Sequence, residues 1–198
     1  MTEQMFEHTL WRKGNKFAVK VLGAEDPSGH SPATAAVYGN PQNDCLVRVH
    51  SRCVYGEVFE SDDCDCREQL RTALQMIDAE GAGVVIYLDQ EGRGEGLRNK
   101  ARGYAYSQEH HTDTFTSYRA LGLPDDSRSY EAAAELLRRL GLTSVRLLTN
   151  NPAKVHALQE NGIEVKRETW TVPVSEFARA YLEAKRQYGH MIATGQAD

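Results

Sequence analysis

The sequence predicts an α+β fold in a single domain, with a β-rich N-terminal part followed by alternating strands and helices. Three observations carry this reading. Gly and Pro punctuate short apolar stretches through residues 1–44, the run GVVIYL at Gly83–Leu88 has the β-branched composition of a buried strand, and strand and helix patterns alternate from Glu131 onward. A chain of 198 residues can bury one substantial core, and nothing in its length demands two independent domains.

Taken in order, Phe17–Leu22 and Ala35–Tyr38 read as short strands joined by polar turns such as AEDPSGHSP, and Leu46–His50 and Val54–Phe59 read as further strands. In CREQLRTALQMIDAEG, the spacing of Leu70, Ala73, Leu74 and Ile77 places their side chains on one helical face before Gly81. GVVIYL is followed by the polar loop DQEGRGEG, a helix over Leu97–Tyr106, and a loop rich in Thr, His and Asp that runs to about Arg128. Loops of that length commonly carry function. Glu131–Leu140 is a helix stopped by Gly141, and the strand Val145–Thr149 leads into NNP, where Asn151 caps and Pro152 opens the next helix. That helix ends near Gly162, Ile163–Lys166 returns as a strand, and Glu176–Tyr188 forms the last helix before Gly189.

The composition is that of a globular protein, 40% hydrophobic and 26% charged. No apolar run approaches the roughly 20 residues that cross a bilayer. The segment MTEQMFEHTLWRKGNK lacks the apolar stretch of a secretory signal, so the expectation is a cytoplasmic protein with reduced thiols. A net charge of −5 argues against a general nucleic-acid binder, because backbone phosphates are engaged by clustered positive charge. Phosphates recognised here would belong to a small ligand.

Three of the 4 cysteines, Cys53, Cys64 and Cys66, form a C-x10-C-x-C arrangement ending in SDDCDC. In a reducing compartment this is not a disulfide framework. Thiolates bind zinc strongly, and three protein ligands leave a fourth position for a water whose pKa the metal lowers. The alternative is a set of unrelated buried thiols, and Cys45, opening the apolar run CLVRVH, is read that way. The tandem His110–His111 in a polar loop reads as a solvated pair.

RVHS at Arg48–Ser51, Cys53 with DCDC at Asp63–Cys66, QEGRGEGL at Gln90–Leu97, NKARGY at Asn99–Tyr104 and LLTNNPAKV at Leu147–Val155 together resemble GTP cyclohydrolase II. The resemblance runs from about residue 36 to YLEAKRQYGH at Tyr181–His190. It implies the fold of that family, homodimeric assembly, and hydrolysis of GTP at guanine C8 with release of formate and pyrophosphate at the start of riboflavin synthesis. It implies that Cys53, Cys64 and Cys66 hold a catalytic zinc whose water attacks C8, with magnesium accompanying the triphosphate. Tyr104 matches a tyrosine near that water, and Asp126 and Arg128 match a proton acceptor and an arginine acting at the α-phosphorus. Because a guanidinium stays protonated, charge stabilisation of the leaving pyrophosphate is the simpler role for Arg128.

The substrate contacts implied by the resemblance fall on Arg48, Val49, His50, Ser51, Gln69, Glu91, Gly92, Arg93, Thr114, Thr149 and Lys154. Arg48, Arg93 and Lys154 supply cations for phosphates, Thr149 with NNP supplies donors at a helix N-terminus, and Glu91 matches the guanine N1 and exocyclic amine. The sequence departs from the family pattern at Arg52, where an acid is usual, and at VYGE, where something like LTGD is usual. That reversal of charge beside Cys53 leaves open a relative with altered substrate or product, and a non-catalytic nucleotide-binding relative that keeps its zinc.

Overall fold

In the segment Ala33–Tyr38, Ala33, Ala35 and Val37 are buried while Thr34 is exposed, the period-two pattern of a strand with one face on a core. The computed structural model describes residues 5–12, 14–25 and 32–192. Its strands are β1 (Phe6–Arg12), β2 (Asn15–Glu25), β3 (Pro32–Tyr38), β4 (Cys45–Ser51), β5 (Gly83–Leu88), β6 (Ser144–Leu148) and β7 (Glu164–Glu168). They form a 7-stranded sheet in the order β1-β2-β3-β5-β4-β6-β7, antiparallel from β1 through β3 to β5 and parallel from β4 through β6 to β7. The helices are α1 (Val54–Glu57), α2 (Cys66–Glu80), α3 (Gly96–His110), α4 (Thr114–Ala120), α5 (Glu131–Arg139), α6 (Pro152–Glu160) and α7 (Arg179–Gln187), with a 3-10 turn at Glu91–Gly94. This is the α+β architecture the sequence predicts. No helix among the described residues is long and apolar enough to cross a membrane.

Chain contacts separate two units. The first comprises Met1–His50, Leu70–Asp89 and Ser129–Trp170, and the second Ser51–Gln69, Gln90–Arg128 and Thr171–Asp198. The first unit contains the sheet and its core, where Val47 and Val49 of β4, Val84 and Ile86 of β5, and Leu147 of β6 meet Ala133, Leu136 and Leu137 of α5. α5 packs on β2, β3 and β5 because its buried positions recur at helical spacing, leaving Glu135, Arg138 and Arg139 outward. Cys45 belongs to this core, and burial pushes its thiol up to about 11, as suits an inert packing residue. The second unit contains α1, the 3-10 turn, α3, α4 and α7.

Several elements follow their sequence signals closely. Asn151 caps α6 by accepting from the Ala153 N–H at 2.9 Å, with Pro152 at the first helical position. Others differ. Val54–Phe59, expected as a strand, begins with the helical turn α1, whose cap is the Cys53 side chain. Its β-branched composition suggested a sheet, but the Val54 N–H is taken by Glu91 Oε2 at 2.6 Å, and Val58 and Phe59 are left exposed. The helix expected to end at Tyr106 continues to His110 and stops on His111 in the left-handed region. Within the expected loop to Arg128, Asp113 caps α4 by accepting from Phe115 N and Thr116 N. Residues 26–31 of the expected turn AEDPSGHSP, and residues 1–4 and 13 of the N-terminal segment, lie outside the described residues.

Leu147, fully buried between β4 and β7, should cost about 2–5 kcal/mol of stability when changed to Ala, whereas Leu10→Ala on β1, where the side chain is 45% exposed, should fall within about 0.5 kcal/mol of the parent. Urea denaturation of the two variants checks the contrast.

Candidate functional site

The second unit gathers the three cysteines. Cys53 follows β4 and caps α1, its Sγ accepting from the Gly56 N–H at 3.4 Å, while Cys66 opens α2 and Cys64 lies two residues before it. The three Sγ atoms lie within 4.8 Å of one another, and those of Cys53 and Cys64 are 3.6 Å apart. Thiolates about 2.3 Å from a tetrahedral zinc stand about 3.8 Å apart, so the spacing fits a shared ion. A side chain at Gly56 would fill this cradle, since a Cβ there would stand 2.9 Å from Cys64 Sγ.

The electrostatics fit a cation as well. Hydrogen bonds from the Cys64 and Cys66 thiols, then the Lys100 ammonium and the Gly56 N–H, outweigh burial and hold Cys53 well below the usual thiol range. The hydrogen bond with Cys53, followed by burial and the Cys53 charge, pushes Cys64 up to about 11, and hydrogen bonds with Cys53 and Cys64, together with burial, raise Cys66 well above its ordinary value. One thiolate is thus stabilised by two thiols, and only an added cation lets all three ionise together.

Lys100 is a residue the sequence reading missed. Its Nζ lies 3.1 Å from Cys53 Sγ and 2.7 Å from Glu91 Oε1, and although burial opposes its charge, Cys53 and Glu91 keep the ammonium above the usual lysine range. The signal was available in NKARGY, because Lys100 and Tyr104 are four residues apart and share a face of α3. Glu91 accepts from Lys100 and from Gly92 N at 3.1 Å on Oε1, and from Val54 N on Oε2, which leaves its carboxylate room for about one more donor. Arg52 is exposed, and the acid serving Cys53 is Glu57, whose Oε1 accepts the Cys53 N–H at 2.7 Å.

Of the other expected residues of this unit, Gly92, Arg93, Thr114, Asp126 and Arg128 lie around two loops. Gly92 and Arg93 adopt left-handed backbone at φ 60° and 59°, an uncommon conformation for arginine. It aims the Arg93 guanidinium over the Phe115 ring at 3.5 Å and into a 2.8 Å hydrogen bond with Thr114 Oγ1. The Ser127 N–H donates to Arg93 O at 2.9 Å, and a Cβ on Gly94 would press against Ser127 at 3.1 Å, so the two loops are zipped together. There Arg128 forks onto Asp126, with Nε to Oδ1 at 2.8 Å and Nη2 to Oδ2 at 2.5 Å. Against burial, Arg128 and Arg93 hold the Asp126 carboxyl below its ordinary range.

Tyr104 packs edge-on against Tyr55 and lines a cavity of about 460 Å³ with Asp63, Thr114, Tyr181 and other residues of this unit. Burial, with Tyr181 and the cysteines nearby, pushes its phenol up, so the hydroxyl stays protonated. His110 and His111 are both exposed; His111 also lines that cavity, and His110 tilts against Tyr106. Gln69 donates to Asp65 Oδ2 at 2.5 Å, and the buried Ser51 Oγ has no hydrogen-bond partner among the described residues.

The first unit holds the other expected contacts, at the C-terminal ends of the parallel strands β4 and β6, where α/β sheets bind ligands. Arg48 donates to Leu148 O at 2.8 Å and lies over Trp170, His50 stacks on Tyr87, and Lys154 donates to Val49 O at 2.9 Å. Thr149 Oγ accepts the Asn151 N–H at 3.1 Å at the start of α6. Arg48, His50, Thr149 and Lys154 are all buried, an unusual concentration of polar side chains.

Changing Gly56 to Ala should lower metal affinity by about 10–100-fold without unfolding the protein, as displacement of a metal ligand's support does elsewhere. Chelator competition against the parent chain measures it.

A sequence model of GTP cyclohydrolase II matches residues 7–170. The GTP cyclohydrolase-2 of Archaeoglobus fulgidus is 43% identical over 197 residues, covering 97% of this chain and 50% of that protein. The riboflavin biosynthesis protein RibBA of Bacillus cereus strain B4264 and that of Bacillus mycoides are each 48% identical over 149 residues, covering 74% of this chain and 37% of theirs. This chain therefore spans about half the length of the archaeal relative and less of the Bacillus proteins. With a match over most of its length and a clustered set of cysteines where the motifs place them, the chain belongs to the GTP cyclohydrolase II family.

Proposed function

We propose that this chain is a zinc-dependent, cytoplasmic and homodimeric GTP cyclohydrolase. It hydrolyses GTP at guanine C8, releasing formate and pyrophosphate to leave 2,5-diamino-6-hydroxy-4-(5-phosphoribosylamino)pyrimidine for riboflavin synthesis. The observation that carries the reading is the convergence of Cys53, Cys64 and Cys66 beside Lys100. When bound, zinc would act as a Lewis acid and bring a water to reactivity near neutral pH.

The protein's own residues supply the rest. Three thiolates carry more negative charge than a divalent ion offsets, and the Lys100 ammonium against Cys53 balances the difference. Tyr104, held protonated, offers a hydroxyl to orient the attacking water or the departing formyl oxygen. Asp126, held ionised, is the proton acceptor, and Arg128 stabilises charge that develops on the leaving pyrophosphate. Glu91 serves recognition from inside the loop, fixing Gly92 and Arg93 while keeping one acceptor position for the base. Arg48, Thr149, Lys154 and the amino end of α6 offer a buried cationic surface suited to phosphate oxygens carrying magnesium.

Incubation of zinc-loaded protein with GTP and magnesium should yield formate, pyrophosphate and the pyrimidine by mass spectrometry, and binding of GTP without any product would favour a non-catalytic relative. Cys66→Ser should abolish formate release. Arg128→Ala should suppress pyrophosphate release by about 2.7–4 kcal/mol in barrier, with zinc content unchanged. Lys154→Ala should weaken binding of GTP more than of guanosine in calorimetry, and equal losses would remove Lys154 from the phosphate-binding role.

A further inference from the structure

Asp65 stands between Cys64 and Cys66, and its carboxylate is turned inward. The residue is only 5% exposed, its Oδ1 accepts from Lys185 Nζ at 3.1 Å, and its Oδ2 accepts from Gln69 Nε2. Lys185 comes from α7, far along the chain, and its side chain is itself only 13% exposed. The same C-terminal segment holds the loop at a second point, where Ser175 Oγ donates to Asp62 O at 2.5 Å, and Tyr181 of α7 shares a cavity wall with Asp63 and Tyr104. The Lys185 ammonium also lies 4.3 Å over the Tyr181 ring, a second contact that restrains it beside Asp65.

A buried ion pair is a weak source of net stability, because both charges lose their hydration, but its geometry is strict. Here that geometry is applied to the single residue linking two thiols. We propose that Lys185 is a positioning residue of the metal centre, acting through Asp65 to hold the Cys64–Cys66 loop in the arrangement that receives the ion. The proposal rests on the reading of the three cysteines as metal ligands. It assigns α7 a function beyond packing: carboxylates that steady a ligating loop are themselves steadied by a partner, and loss of such outer support characteristically weakens metal binding.

The test uses the full chain, with zinc affinity from chelator competition and the thiolate-to-metal absorption of the Co2+-substituted protein as readouts. Lys185→Met should lower zinc affinity by about 10–100-fold and alter the cobalt spectrum. Lys185→Arg should recover most of both, and Asp65→Asn should move both in the direction of Lys185→Met. Wild-type affinity and an unchanged cobalt spectrum in Lys185→Met, whatever its melting temperature, would reduce Lys185 to a packing residue and overturn the proposal. If Lys185→Met does not fold, Asp65→Asn decides on the same two readouts. A wild-type chain that takes up neither ion overturns the metal reading itself, an outcome distinct from a metal-binding wild type with an indifferent Lys185→Met.

Discussion

Three thiols within 4.8 Å of one another cannot all ionise unless a cation joins them, and much of the second unit is organised around that constraint. Lys100 stabilises one thiolate in advance. Glu57 and Glu91 take the backbone N–H groups of Cys53 and Val54, so Cys53 is held by its main chain rather than by its side chain alone. Gly56 supplies the remaining requirement, which is space against Cys64. These devices act on the same few atoms and come from α1, the 3-10 turn and α3, so they form only when those elements are assembled.

Glu91 connects this centre to the loops that carry Arg93, Asp126 and Arg128. Its carboxylate faces Lys100 and α1, while the next two residues turn through left-handed backbone and send Arg93 toward Thr114. A non-glycine residue in that conformation carries local strain, which the hydrogen bond to Ser127 and the stacking on Phe115 offset. The Arg128–Asp126 fork then leaves an ionised acid and a directed cation side by side, the pair that proton removal and phosphate departure both require under the proposed function. In the first unit a different principle operates. Buried cations sit where parallel strands end, and their donors are oriented by carbonyl oxygens of β4 and of the β6 end.

How much of this was legible differs from residue to residue. The spacing of Cys53, Cys64 and Cys66 identified a thiol cluster, because short ligand spacing is itself a geometric statement. NNP marked the start of α6, and GVVIYL marked β5, since capping and β-branched burial are local effects. Val54–Phe59 was misread for the complementary reason: its conformation is set by Glu91, distant in sequence, rather than by its own propensities. α4 was hidden within a polar stretch, where the cap Asp113 was a fair signal that composition obscured.

The sequence by itself determined the α+β class, the family and the chemical types in the site, because periodicity, capping and motif spacing are carried by residues near one another in the chain. Tertiary structure alone decided that Lys100 meets Cys53, that Glu91 is occupied from within and that Lys185 reaches Asp65. These contacts join residues 47, 9 and 120 positions apart. Their energetic weight comes from burial, which weakens solvent screening of charge and is a property of the packed molecule rather than of any segment.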